Sequence, residues 1–201
     1  MSKNVIEFFK LYKTKFVPAY ADYVALDQVK PEQILIEESN ILSHLSQYFN
    51  ESLDEKTREG NLIKATNHLQ RIIIDLNKLI WVSLTDILKP IFKNPDSYIV
   101  FNLPSDEIVQ KFSQFLNKGL EAREFEMNNI GNAPLETILK YETANTTGLE
   151  LLKSLDEIKF IQYKKWTRIF KTKEFVAGII ASIIAATICW GASGFFGMLM
   201  S

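Results

Sequence analysis

Hydrophobic side chains recur at three- and four-residue intervals along most of this chain, and that spacing places them on one face of an α-helix. The pattern is longest over residues 57–89, where it continues for about eight turns before Pro90. We expect this stretch to be the central helix of a bundle. Its predicted apolar stripe consists of Leu62, Ala65, Leu69, Ile72, Ile73, Leu76, Ile80, Leu84 and Ile87.

Two shorter helices are predicted before the central one. The first covers residues 4–16 and ends or kinks at Pro18, after which residues 20–26 add a further turn or two. Its lysines and apolar face suit either the core or a membrane surface, and we favour the core. The second helix begins at Pro31. The apolar residues are Val5, Phe8, Phe9, Tyr12 and Phe16 in the first helix, and Ile34, Leu35, Ile41, Leu42, Leu45, Tyr48 and Phe49 in the second.

The chain beyond the central helix also has mainly helical spacing. Residues 98–101 suit a short extended segment, but four residues cannot make a sheet. A helix capped by Ser105 follows. A short helix over residues 135–141 is expected to break at residues 145–148, and from Leu149 one uninterrupted helix should continue to the end of the chain. The predicted fold class is all-α.

Residues 175–201 differ from the rest of the chain because they include no Asp, Glu, Lys, Arg or His. As a helix this segment would be about 40 Å long, which exceeds the roughly 30 Å of a bilayer's hydrocarbon core. Uncharged runs of this length are rare in soluble domains, so we interpret it as a transmembrane helix. Basic residues precede it and none follows it: Lys164, Lys165, Arg168, Lys171 and Lys173.

The positive charge before the span sets its expected orientation. It keeps the N-terminal part in the cytoplasm and gives a single-pass protein, most simply of the bacterial inner membrane. The expected division is a helical cytoplasmic domain over residues 1–148, a basic juxtamembrane helix over 149–174 and the membrane helix over 175–201. The lone cysteine, Cys189, falls within the span, so no disulfide is possible within one chain.

Small residues repeat every four positions inside the span, and such rows let membrane helices approach closely. We therefore expect a homo-oligomer, in which these helices pack as a compact dimer or line a pore. The alternative is that glycine and alanine are simply common in membrane helices. The predicted packing residues are Ala177, Gly178, Ala181, Ser182, Ala185, Ala186, Gly191 and Gly194.

Composition and motifs argue against several classes of function. The formal net charge is −1 and no basic stripe occurs outside the membrane flank, so we expect no direct binding to nucleic acid. His44 and His68 are the two histidines, and neither lies in a metal-binding spacing. Phosphate-binding glycine loops and nucleophile-elbow motifs do not occur. We expect a protein that is not an enzyme and that uses no metal or cofactor.

One row of polar residues on the central helix is the candidate binding strip. Its members follow at three- or four-residue steps with alternating charge, which suits a binding surface or a partly buried hydrogen-bonded network. We favour a third interpretation, a solvated face with ion pairs of about 0.3–0.5 kcal/mol each. Within the row we expect His68 to face the Asp75 carboxylate. The strip comprises Asn61, Lys64, His68, Arg71, Asp75 and Lys78.

Residues 60–81, GNLIKATNHLQRIIIDLNKLIW, resemble a helix of the HEPN-like helical proteins of bacteria. A small helical domain joined to one membrane span also resembles the membrane accessory proteins of type VI-B CRISPR systems. The resemblance implies antiviral defence with the membrane as target, downstream of a protein partner or a nucleic-acid-sensing system. HEPN ribonucleases carry an arginine, then four to six residues, then a histidine. Arg58 is too far from His68 for that motif, so no nuclease role is carried over.

Three functions are therefore ranked from the sequence. The leading hypothesis is a self-associating membrane effector that permeabilises or perturbs the bilayer, with membrane lipid as its main partner. The alternative is a tail-anchored adaptor or receptor that holds a partner protein at the membrane without forming a pore. A ribonuclease of the HEPN type ranks last because its motif is missing.

Overall fold

The computed structural model describes residues 3–163, which are almost entirely helical and confirm the predicted all-α class. Six α-helices occupy residues 3–153, together with a π-helical segment at Tyr12–Phe16 and a 3-10 segment at Pro95–Val100. The α-helices are α1 (Lys3–Leu11), α2 (Val17–Asp27), α3 (Glu32–Tyr48), α4 (Glu55–Phe92), α5 (Ser105–Asn128) and α6 (Pro134–Lys153).

The chain divides into two compact units, Met1–Ser154 and Leu155–Ser201. In the second unit the structure describes residues 155–163, which are helical from residue 157 onward. The Asp156 carboxylate caps that helix by accepting the backbone N–H of Lys159 at 3.0 Å. No helix within residues 3–163 has the length and apolar character needed to cross a bilayer. The predicted membrane helix and its basic flank, residues 164–201, lie outside the described residues.

Helix α4 is the centre of the first unit, as its long apolar stripe predicted. It packs against α2, α3 and α6 and more briefly against α1. Its stripe is buried along its length except at Ile87, and each fully buried Leu or Ile stabilises the fold by about 1.5–3 kcal/mol. The Asp54 carboxylate caps the helix by accepting the Thr57 N–H at 3.0 Å. Pro90 does not end it, because a proline in the last turn disturbs only one earlier carbonyl and the helix stops two residues later.

Pro18 does not end the first helix, because a change of helical type accommodates it. A proline cannot donate a backbone hydrogen bond, and its ring crowds the carbonyl four residues earlier. Here the π-helical segment widens the preceding turn, and the Val17 N–H donates to the Tyr12 carbonyl five residues back. The chain therefore passes from α1 into α2 without a break, and the expected turn or two over residues 20–26 is an eleven-residue helix.

Two predicted boundaries in the last third of the described chain were wrong. The expected break at residues 145–148 does not occur, because α6 continues through them. Gly148 serves close packing instead: a Cβ there would lie 2.7 Å from the Phe115 ring and 3.0 Å from Leu84. The helix expected to continue without interruption from Leu149 ends at Lys153, and residues 154–156 are not helical.

The segment expected to be extended, residues 98–101, lies mostly within the 3-10 segment. The buried Ser97 hydroxyl holds that segment against the end of α4 by donating to the Ile91 and Asn94 carbonyls. The apolar face predicted for α3 is also narrower than expected. Ile34, Ile41 and Tyr48 are buried, whereas Leu35, Leu42 and Phe49 are exposed.

Candidate functional site

A glutamate lies inside the buried face of α3. Glu37 follows Ile34 by three residues and precedes Ile41 by four, and all three are buried. Its side chain is 6% exposed, a position in which a carboxylate needs partners to offset its lost hydration. The sequence pattern predicted only apolar residues on this face and did not reveal Glu37. The signal that could have revealed it was an acidic residue at a core position of the helical period.

Side chains from α3 and α4 hold the Glu37 carboxylate in place. His68 Nδ1 lies 2.5 Å from Glu37 Oε2, and Arg71 Nη1 lies 3.7 Å from Oε1. Burial raises the pKa of Glu37, but hydrogen bonds from His68 and Asn40 and the charges of His68 and Arg71 outweigh it and hold the pKa below its usual value. The expectation that His68 faces Asp75 was wrong: its partner comes from the neighbouring helix.

A second histidine extends this cluster along the contact between α3 and α4. The rings of His44 and His68 stack with their centroids 5.4 Å apart and their planes 21° from parallel. His44 Nδ1 lies 3.0 Å from Asn61 Oδ1, while Asn61 Nδ2 donates to the Thr57 carbonyl at 3.0 Å. Because that amide presents its oxygen to His44, Nδ1 of His44 must carry the hydrogen.

A second polar cluster lies further along α4, where α5 and α6 meet it. Lys78 Nζ is 3.0 Å from Asp75 Oδ1 and 2.9 Å from Glu126 Oε1. Burial lowers the pKa of Lys78, but hydrogen bonds from the amine to Glu126 and Asp75, and their charges, raise it overall. The Tyr141 hydroxyl donates to Glu126 Oε2 at 2.9 Å. Burial, and to a lesser extent this hydrogen bond, raises the pKa of Tyr141. Tyr141 therefore remains a hydrogen-bond donor at neutral pH.

A cleft of about 570 Å³ opens beside this second cluster. Its walls come from α4, from the end of α5 and from the turn that leads into α6. The charged side chains among them form ion pairs: Arg71 lies 3.7 Å from Glu37, and Lys78 contacts both Asp75 and Glu126. The polar lining is formed by Asn67, Gln70, Arg71, Asp75, Lys78, Glu126, Asn129 and Thr137.

The predicted strip is therefore not one surface. Asn61, His68 and Arg71 contact α3 side chains, whereas Asp75 and Lys78 pair with each other and Lys78 with α5. Lys64 is exposed. The structure thus places a hydrogen-bonded network at Asn61 and His68, where we had favoured a solvated face.

The chemistry open to these clusters follows from their partners. Within residues 3–163, no group of three or more His, Cys, Asp and Glu side chains is placed to hold a metal ion. A carboxylate on Nδ1 orients a histidine for proton transfer through Nε2, but catalysis also needs a reacting group about 3 Å from that atom. The contacts of His68 and Arg71 with Glu37 join α4 to α3.

Replacing Glu37 by glutamine is expected to lower the free energy of unfolding at pH 7 by about 2 kcal/mol, since hydrogen bonds to a charged group contribute about that much. A carboxyl whose pKa is depressed by folding stabilises the protein above its unfolded pKa, about 4.3, and loses that contribution as pH falls through the folded value. The difference in the free energy of unfolding between wild type and Glu37→Gln should therefore disappear in acid. Denaturant unfolding in mild detergent from pH 7 to pH 3 measures it.

The adjacent Glu38 gives a matched control of opposite sign. Burial raises the pKa of Glu38, and the charge of Lys30 offsets only part of that effect. Ionisation of Glu38 near neutral pH therefore destabilises the folded protein. Glu38→Gln should therefore gain stability relative to wild type as pH rises from 3 to 7. Parallel pH profiles for the two variants would show that the Glu37 contacts do not stabilise its ionised form.

Comparison of this chain with protein-family models, with curated proteins and with solved structures finds no match. The antiviral-defence resemblance accordingly stays a prediction. Two features of the chain itself bear on its function: the helical unit and the uncharged C-terminal sequence.

Proposed function

We propose that this chain is a single-pass membrane effector, anchored by residues 175–201, whose copies associate and perturb the bilayer. The observation that carries the proposal is the complete absence of charge over that segment, directly after a flank that holds five basic residues and one acidic residue between positions 164 and 174. Such a flank keeps the preceding helical unit on the cytoplasmic side. Antiviral defence is the setting that the resemblance implies for it.

The helical unit has a non-catalytic role in this proposal. One membrane helix cannot enclose a channel, so leakage requires several copies. The cytoplasmic unit would hold those copies together. Two rows of small residues would let the membrane helices pack closely, Ala177, Ala181 and Ala185 in one and Gly178, Ser182 and Ala186 in the other. A compact dimer uses the same rows, and it would perturb the bilayer without a continuous lumen.

Purified chain reconstituted into dye-loaded vesicles is expected to release the dye, with a rate that rises more steeply than protein density because several copies must meet. Ala181→Leu should reduce release by widening a small-residue row, whereas the volume-conserving Ile180→Leu should leave it unchanged. Fluorescence dequenching measures the release, and circular dichroism checks that both variants remain helical. Chain that floats with the vesicles yet releases no dye at any density would leave the adaptor as the better proposal.

One surface at α3 favours the second candidate function, an adaptor that holds a partner protein at the membrane. Leu35 and Leu42 of α3, and Phe49 directly after its last residue, are 42%, 67% and 57% exposed. They follow one another at seven-residue intervals, so they form one row along the helix and its C-terminal end. A row of this kind suits the apolar face of a partner helix. A monomeric mass in mild detergent, measured by light scattering, would favour this function over a self-associating effector.

A further inference from the structure

We infer that the outer face of α1 binds the surface of an anionic membrane, an inference that rests on the proposed membrane function and adds a second contact with lipid. The apolar side chains of α1 include both buried and exposed residues. Val5 and Phe8 are buried in the bundle. Ile6 and Phe9, in contrast, are 55% and 43% exposed. Burial in the core therefore explains only part of the apolar character of this helix.

Lysines surround the outer apolar residues. At 100° per residue, Ile6 and Phe9 lie on one arc of the helix with Lys10 and with Lys13 of the π-helical continuation, and all four are exposed. Lys3 lies at the edge of the same arc and is 3.9 Å from Glu7, the single acidic residue of residues 3–17. Lys15 points elsewhere, to Glu142 at 2.6 Å. The outer face therefore carries net positive charge around an apolar centre.

This combination fits a lipid surface better than open water. Apolar side chains of an interfacial helix enter the boundary between headgroups and acyl chains, while lysines reach outward to anionic headgroups. Each lysine near such a surface strengthens binding by about fivefold. The bundle already fixes α1 as a helix through its inner face, so binding would not require the helix to form first. The charge selects acidic lipid over uncharged lipid.

A spin label at position 9 tests the inference in the full-length chain. The chain carries Cys189→Ser, so that Phe9→Cys provides the single labelling site, and the apolar nitroxide replaces the apolar ring. Vesicles contain either phosphatidylcholine alone or phosphatidylcholine with phosphatidylglycerol. Power saturation then compares the access of oxygen, which enriches in lipid, with that of a water-soluble nickel complex. Leu120→Cys, on an exposed position of α5, is the matched control.

The expected result is loss of nickel access at position 9 in the anionic vesicles only, with no change at position 120. Lys10→Glu combined with Lys13→Glu should restore nickel access, while circular dichroism confirms that the helices persist. A chain that floats with anionic vesicles but keeps position 9 in water overturns the inference and leaves the membrane anchor intact. Equal protection in uncharged vesicles overturns its charge selectivity. A chain that floats with neither vesicle overturns both the inference and the proposed function.

Discussion

Replacing Gly119 by alanine is expected to destabilise the helical unit by about 1–3 kcal/mol, the usual cost of overpacking a close contact. Gly119 is a buried residue of α5. A Cβ built there would overlap the indole ring of Trp81, which packs on α5 from α4 with its centroid 6.5 Å from that of Phe115. An indole is rigid, so relief requires the two helices to separate or the ring to leave its place.

Gly60→Ala provides the matched control for this prediction. Gly60 also lies inside a helix, α4, but a Cβ there would meet nothing within 4 Å. Alanine should stabilise that position by about 0.5–1 kcal/mol, because it loses less backbone entropy on folding than glycine. Thermal unfolding of the full chain in mild detergent compares the two variants. Equal midpoints for Gly119→Ala and wild type would mean that Trp81 moves aside at no cost.

Asn145→Leu is expected to cost about 1–3 kcal/mol, because it leaves buried acceptors without their donor. Asn145 of α6 is 4% exposed, and its Nδ2 donates to the backbone carbonyl of Asn77 at 2.9 Å and to Asn77 Oδ1 at 3.0 Å. Asn77 Nδ2 donates in turn to the Ile73 carbonyl at 2.9 Å. The pair therefore joins α4 and α6 through buried amide groups. Denaturant unfolding in mild detergent measures the loss.

A double-mutant cycle separates this hydrogen bond from general packing. Asn77→Leu combined with Asn145→Leu should cost less than the sum of the single changes, since replacing both partners by apolar groups removes the unpaired side-chain oxygen. Strictly additive losses would show that the two side chains do not interact. Asn129→Leu, at the end of α5, is a control that lies outside the pair and should be additive with Asn145→Leu.

The helical class and the central helix followed from the sequence because periodicity is a local property. Apolar residues at three- and four-residue steps over residues 57–89 predict α4, and the structure places α4 at Glu55–Phe92. Breaks were predicted less well, because they depend on the surroundings. Residues 145–148 contain Asn and Gly, which often end helices, but packing against Phe115 keeps Gly148 helical.

The candidate site, too, could be predicted only in part from the sequence. Asn61, His68 and Arg71 stood out as polar residues on the central helix, but their partner could not be found by spacing. Glu37 is 31 residues from His68 in sequence, and only the packing of α3 against α4 brings the two side chains together. Polar spacing on one helix can predict which residues share a face, but it cannot predict what the adjacent helix presents to them.

The sequence by itself determined the all-α class, the central position of α4 and the uncharged character of residues 175–201, since each depends on composition or on the spacing of neighbouring residues. The tertiary structure alone decided that Glu37 is buried and paired and that Phe8 faces the core while Phe9 faces outward. These outcomes depend on which surfaces meet, and residues far apart in the chain supply those surfaces.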